Sequence, residues 1–227
     1  MPKLLAPDLT ASVEDYLKAI YQLSEAGTPA STHDIAEALD LAAPSVSGMV
    51  KRLAEQGLVE HLPYKGVTLT DDGRLAAVRM LRRHRLIEAY LVHFLGYSWD
   101  TVHDEAERLE HAVTDDLVRR MAEALGDPRF DPHGDPIPTA DGVIEDVATV
   151  PLPDVMVGEL VRINRIAAAT SEKLRWLADA GLVPGAAVTI IEQQPFSGPL
   201  TLDLAGEQRI VGHDLAKQLL CVRGGSA

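Results

Sequence analysis

Cysteine is nearly missing from this chain of 227 residues, with Cys221 its single example. A lone thiol makes no internal disulfide and supplies no cysteine-rich zinc module, and it agrees with a reducing compartment. Also missing is an apolar run long enough for a membrane helix, and residues 1–8 lack the long apolar core of a secretory signal. The expectation is a cytoplasmic protein with no membrane contact. Positive charge is short as well, with 21 Lys and Arg against 34 Asp and Glu and a net charge of −13. So acidic a surface repels a phosphate backbone as a whole, and nucleic-acid binding then needs local basic patches or a cation that lowers the negative charge. No HExxH pair, nucleophile elbow or phosphate loop is present, which counts against catalysis.

What is present is a globular composition, 46% apolar and 24% charged, long enough for one large domain or two to three small ones. Residues 12–25 have the spacing of an amphipathic helix, with Ser12 as cap and Val13, Leu17, Ile20 and Tyr21 on one face. Gly27 and Pro29 end it. Ser31 or Thr32 caps a short second helix over 34–39, and a third begins near Pro44 and buries Val46, Met49, Val50 and Leu53 before Gly57. Two β-prone pieces, 58–62 and 67–69, follow around Pro63-Tyr64-Lys65-Gly66. Three helices and a hairpin predict a winged helix-turn-helix over residues 1–73. Its candidate DNA contacts are Thr32, Pro44, Ser45, Ser47, Lys51 and Arg52, with Tyr64 and Lys65 at the hairpin tip. A winged helix used only for protein contacts is the alternative.

Residues 72–95 form a long helix carrying Arg79, Arg82, Arg83 and Arg85, with Leu75, Val78, Leu86, Ala89, Tyr90 and Val92 suited to a dimer-forming element. His84 and Glu88 lie one turn apart on it. The next helix, capped by Ser98, holds His103, Glu107, Glu110 and His111, whose spacing lets all four share one helix side. Imidazole nitrogen and carboxylate oxygen together suit divalent first-row metals. The competing reading is a solvated face with ordinary charge pairs. Thr114 caps a further helix over 115–125. A Pro-, Gly- and Asp-rich stretch over 126–138 then marks a boundary, and His133 reads as a loop residue within it. The expected division is a helical metal-binding and dimerisation domain over 74–140, a linker over 141–155, and a small β-barrel over 156–227. Its strands are predicted at 157–166, 188–193, 200–204 and 209–211, with a helix at 171–180.

The stretches Ala43-Pro44-Ser45-Val46-Ser47, Lys51 to Val59, Arg83-His84-Arg85-Leu86 with Glu88, Val102 to His111, and Pro136-Ile137-Pro138 resemble the diphtheria-toxin-repressor family of metal-dependent transcriptional regulators. The resemblance implies a mainly α fold with an N-terminal winged helix-turn-helix, a helical dimerisation domain and a C-terminal SH3-like, FeoA-type barrel. It also implies a homodimer on a palindromic double-stranded operator. Carried over by position, a regulatory metal site uses Asp15, Glu107, Glu110 and His111, and an ancillary site uses His84, Glu88 and His103. Iron-responsive members carry methionine and cysteine at the positions of Asp15 and Glu107, whereas manganese-responsive members carry carboxylates, so the resemblance implies Mn(II), with Fe(II) as alternative. Three departures stand out. Thr170 and Lys173 take places where iron-type relatives supply an acid and an amide, with Glu172 a substitute, Gly48 replaces a polar base-contacting residue, and Lys18 replaces a second first-helix carboxylate of some manganese sensors. A metalloenzyme using the His and Glu cluster, or a regulator answering to an organic ligand, are the readings of other classes.

Overall fold

The computed structural model describes residues 9–24, 28–62, 65–167 and 170–224. Tyr64, a candidate DNA contact, lies outside these. Internal contacts group the chain into two units, residues 1–84 with 138–143, and residues 85–137 with 144–227.

The first unit contains α1 (Ala11–Leu23), α2 (Thr32–Ala38), α3 (Ala43–Glu55), the hairpin of β1 (Val59–Leu62) and β2 (Gly66–Leu69), and the first half of α4 (Asp71–Leu95). Helix α1 begins one residue before the expected Ser12, behind Thr10, and buries Val13, Leu17 and Ile20 at helical spacing. In α2 the cap is Ser31, whose hydroxyl accepts the Asp34 N–H at 3.0 Å. Pro44 sits in the first turn of α3, where its missing N–H leaves nothing unsatisfied, and Val46, Val50 and Leu53 point inward. The hairpin pairs Val59 with Leu69 through Leu62 with Gly66, and an Ala30–Val67 bridge ties the segment before α2 to the wing. Thr70 joins wing to α4: its hydroxyl donates to Gly57 O at 2.7 Å and accepts the Gly73 N–H at 3.1 Å. Position 73 tolerates only glycine, because a Cβ there would lie 1.9 Å from the Leu58 carbonyl oxygen.

The second unit holds the rest of α4, α5 (Val102–Leu109), α6 (Asp115–Ala124) and a six-stranded antiparallel sheet. Leu86, Ile87 and Leu91 of α4 are buried against Val118, Ala122 and Ile137 on one side and Val102 and Ala106 on another. Of the residues expected to form a dimer, Val78, Leu86 and Ala89 are buried within the chain, and Tyr90 and Val92 are half-buried. The helix's exposed apolar residues include Leu75, Phe94 and Leu95. The sheet is built from β3 (Val150–Pro151), β4 (Leu160–Ile166), β5 (Ala187–Gln193), β6 (Leu200–Leu204), β7 (Glu207–Val211) and β8 (Leu219–Arg223) in the order β3-β8-β4-β5-β6-β7, with α7 (Ser171–Asp179) and α8 (His213–Ala216) packed beside it. The expected barrel is not closed. Its would-be seam falls between β7 and β3, and β3 is only two residues long and pairs with β8 through Val150 and Pro151. Bulges at Ile163/Arg165 and Ile190/Glu192 bend the sheet over a core that includes Ile163, Leu177, Leu182, Ile190, Leu202 and Cys221. No described helix is long and apolar enough to cross a membrane.

Candidate metal centre

Helix α5 is shorter than its polar pattern suggests. Thr114 caps α6, its hydroxyl accepting the Leu117 N–H at 3.3 Å, so the chain must leave α5 a turn earlier. Glu110 becomes the residue just past the helix and His111 falls in the following turn. The expectation of four ligands on one helix side is thus corrected to two, His103 and Glu107, with Glu110 and His111 placed by the turn.

Within the second unit these groups converge. His103 Nδ1 lies 3.1 Å from Glu88 Oε1, and His103 Nε2 lies 3.7 Å from Glu107 Oε1. His111 Nε2 is 3.7 Å from Glu110 Oε1. Glu110 has no exposure at all and Glu88 has 2%. A carboxylate so withdrawn from water needs a compensating cation or hydrogen bonds. His84 is buried on α4 one turn before Glu88. In the first unit Asp15 is half-buried on α1, while the adjacent Glu14 pairs with Arg83 at 3.7 Å. Lys18 is buried on the same helix.

His133 is not the plain loop residue that the sequence suggested. It is buried, and its Nε2–H donates to the Trp99 carbonyl at 2.7 Å, which turns Nδ1 towards Glu88 Oε2 at 3.7 Å. Asp131 organises the loop: its Oδ1 accepts the N–H groups of His133 at 2.8 Å and Asp135 at 2.9 Å. Arg85 braces the loop from α4, donating to Pro136 O at 2.7 Å and standing 3.8 Å from Asp131. Glu88, Asp131 and His133 each offer a ligand atom within 4.8 Å of the others, and all three are buried. Glu88 therefore faces an imidazole with each oxygen. Burial works against a charged His133, but the hydrogen bond and charge of Glu88 and the charge of Asp131 overcome it and lift the ring to about 9. Burial, with the charges of Asp135 and Glu88, pushes the Asp131 carboxyl up to about 7. Crowded negative charge of this kind is what a divalent cation relieves, and oxygen and imidazole donors without a thiolate fit such an ion. The sequence signal for this cluster is an Asp and a His two residues apart, just before Pro136-Ile137-Pro138.

In the C-terminal part, Thr170 is the residue before α7, and Glu172 and Lys173 are exposed. On the DNA side, Pro44, Ser45, Ser47, Lys51 and Arg52 are exposed on α3, Lys65 is exposed in the wing turn, and Thr32 is half-buried at the start of α2. Gly48 lies on the same exposed face, with open space where a side chain would stand.

Residues 8–67 match the iron dependent repressor N-terminal DNA binding domain, residues 70–139 the iron dependent repressor metal binding and dimerisation domain, and residues 150–223 the FeoA domain. The chain is 34% identical over 226 residues to the iron-dependent repressor IdeR of Mycobacterium tuberculosis, covering 92% of this chain and 96% of the relative. It is 36% identical over 197 residues to the diphtheria toxin repressor of Corynebacterium glutamicum, covering 82% and 86%. Among solved structures it superposes on a manganese-dependent transcriptional repressor in complex with manganese with a TM-score of 0.86, at 39% identity over 93% of this chain and 99% of the other. The manganese regulator SloR superposes with a TM-score of 0.77, at 34% identity over 95% and 100%. Members of the family are DNA-binding regulators and not enzymes, in line with the sequence expectation. With family matches to all three parts of the chain and relatives along nearly its whole length, the protein belongs to the diphtheria-toxin-repressor family of metal-dependent transcriptional repressors.

Proposed function

We propose that this protein is a manganese-responsive repressor of metal-uptake genes that binds a palindromic operator as a homodimer. The observation that carries the choice of metal is the donor set. Asp15 and Glu107 are carboxylates at positions where the family resemblance implies methionine and cysteine in iron-responsive members, and a carboxylate-rich donor set suits the harder Mn(II).

In this reading Asp15 joins Glu107, Glu110 and His111 in the regulatory site. His84, Glu88 and His103 hold the second ion, with His133 facing the other oxygen of Glu88 and Asp131 close to both. In this reading three carboxylates brought to one site repel one another, which opposes its assembly without an ion. A bound divalent cation supplies the positive charge that cancels this repulsion. With Asp15 held, α3 keeps one angle relative to its copy in the dimer, so that two recognition helices meet successive major grooves. Moving such an equilibrium from 1:99 to 99:1 takes about 5.5 kcal/mol of preference for the DNA-competent state. Exposed Phe94, Leu95, Tyr97 and Leu117 offer apolar surface to a second copy. Lys51, Arg52 and Lys65 give a local basic patch on a chain whose net charge is −13.

An iron-dependent repressor is the second reading, favoured by relatives that bear that name, among them IdeR of Mycobacterium tuberculosis. The test is a mobility shift with promoter DNA titrated with Mn(II), Fe(II) and Zn(II), on wild type and Glu107→Ala. Manganese is expected to give the full shift at saturation, while zinc, which binds such donors more tightly but with a different preferred geometry, gives a smaller one, and the variant is expected to lose the manganese response. Equal DNA affinity with and without metal, or an indifferent variant, overturns the proposal.

A further inference from the structure

We infer that Gly48 sets DNA specificity by having no side chain, the bared backbone of α3 at this position receiving the methyl group of a thymine in the major groove. Two glycines stand inside the described helices, Gly48 and Gly73. A glycine inside a helix weakens it relative to alanine, because more backbone freedom is lost on folding. Gly73 is obliged by the Leu58 carbonyl oxygen, 1.9 Å from where its Cβ would stand. Gly48 has no such obligation. Nothing lies within 4 Å of its would-be Cβ, and its backbone is helical, a conformation open to every residue but proline. Neither packing nor backbone accounts for it within the chain, and what remains is a close approach from outside.

The surroundings tell what approaches. On a helix the neighbours of position 48 are 44, 45, 51 and 52. All four, Pro44, Ser45, Lys51 and Arg52, are exposed, so Gly48 is the floor of a dent on the surface of α3. That surface belongs to the part of the chain that matches the family's DNA binding domain, residues 8–67. The floor has no hydrogen bond to give a base. Glycine brings no polar side-chain atom, mid-helix peptide groups bond along the helix, and the Ser47 hydroxyl donates back to the Ala43 carbonyl at 3.1 Å. Among the groups that base edges display in the major groove, the thymine C5 methyl is the apolar one, and the others are donors and acceptors. A donor or acceptor pressed onto this floor is left unpaired, whereas a methyl group is released from water. Lys51 and Arg52 on the rim are placed for the flanking phosphates. This rests on the reading of α3 as the helix that enters the major groove, and it is independent of which metal the protein answers to.

The probe is a DNA fragment selected from random sequence by the full-length protein loaded with Mn(II) or with Fe(II). Each thymine is replaced in turn by deoxyuridine, which removes the methyl group alone, and the affinities of wild type and Gly48→Ala are read by fluorescence anisotropy. At one thymine, wild type is expected to lose about fourfold, the worth of one buried methyl group. Gly48→Ala is expected to bind the unmodified fragment at least about threefold more weakly than wild type. At that same thymine the variant should bind deoxyuridine as well as thymine or better, since its Cβ takes the place of the methyl. Its thermal midpoint is expected to rise by about 1–4 °C, which separates lost affinity from a lost fold. Wild type indifferent to every deoxyuridine, a variant that keeps the wild-type penalty at each one, or a lowered midpoint overturns the inference. Lys51→Ala then tells which premise failed. Undiminished affinity in that variant removes α3 from the DNA, whereas weakened binding without a methyl effect leaves α3 in place and strikes the role of Gly48 alone.

Discussion

Glu88 offers the sharpest perturbation. Replacing it with alanine removes a carboxylate that is 2% exposed, 3.1 Å from His103 Nδ1 and 3.7 Å from His133 Nδ1. The two imidazoles differ in what they lose. The His103 side chain is 56% exposed, so its pairing is worth only about 0–1 kcal/mol. His133 is buried, and removing one partner of a buried charged pair costs about 3–5 kcal/mol. Part of this is returned, because Glu88 also crowds Asp131 and helps push that carboxyl up to about 7. The net loss is therefore set at the low end, about 3 kcal/mol. For a chain of this length that lowers the melting temperature by about 6–12 °C in chelator. Metal adds a second readout. Wild type at a hundredfold excess of ion over its dissociation constant gains about 2.7 kcal/mol per site. Glu88→Ala is predicted to keep the part of this gain that comes from the Asp15 set and lose the rest, with one fewer Mn(II) per chain in isothermal titration calorimetry. A variant that melts within about 2 °C of wild type in chelator, with the same metal-induced rise and stoichiometry, would refute the reasoning.

Three further outcomes are expected. Lys51→Ala should weaken binding to all DNA sequences nearly alike and reduce the slope of log affinity against log salt by about 0.9, measured by fluorescence anisotropy. Asp100 is held below the usual carboxylate range by its hydrogen bond from Ser98 and by Arg175, so its contribution to stability is full above about pH 4 and is lost as pH falls through its lowered value. Urea unfolding of Asp100→Asn should accordingly show a shallower acid limb than wild type and a deficit near neutrality. Burial pushes the Cys221 thiol up to about 12, so iodoacetamide should leave it unmodified in the native protein at pH 8 and label it fully in denaturant by mass spectrometry.

Local pattern carried much of the fold. The helical spacing of Val13, Leu17 and Ile20, the Ser31 and Thr114 caps, and Gly57 after α3 all act within a few residues, and each is found as its chemistry predicts. What escaped depends on partners distant in sequence. Strand β8 sits between β3 and β4, so its place, and the open seam of the sheet, follow from pairings across scores of residues. His133 lies in a stretch with no periodicity, and only the fold reveals that Glu88, 45 positions earlier, stands opposite its ring. His111 was misplaced for a different reason. Its spacing from His103 and Glu107 fits a helix, but the Thr114 cap obliges the chain to turn first.

The central claim is a coupling between metal and DNA, and reciprocity measures it most directly. Mn(II) affinity is determined with and without a DNA fragment selected from random sequence by the manganese-loaded protein, and DNA affinity is determined with and without Mn(II), at one salt concentration. Linkage requires the two ratios to be equal. The account predicts equal factors above about tenfold for wild type, a coupling of at least about 1.4 kcal/mol, and factors near one for Asp15→Ala. Factors near one for wild type, or an undiminished coupling in Asp15→Ala, would contradict it.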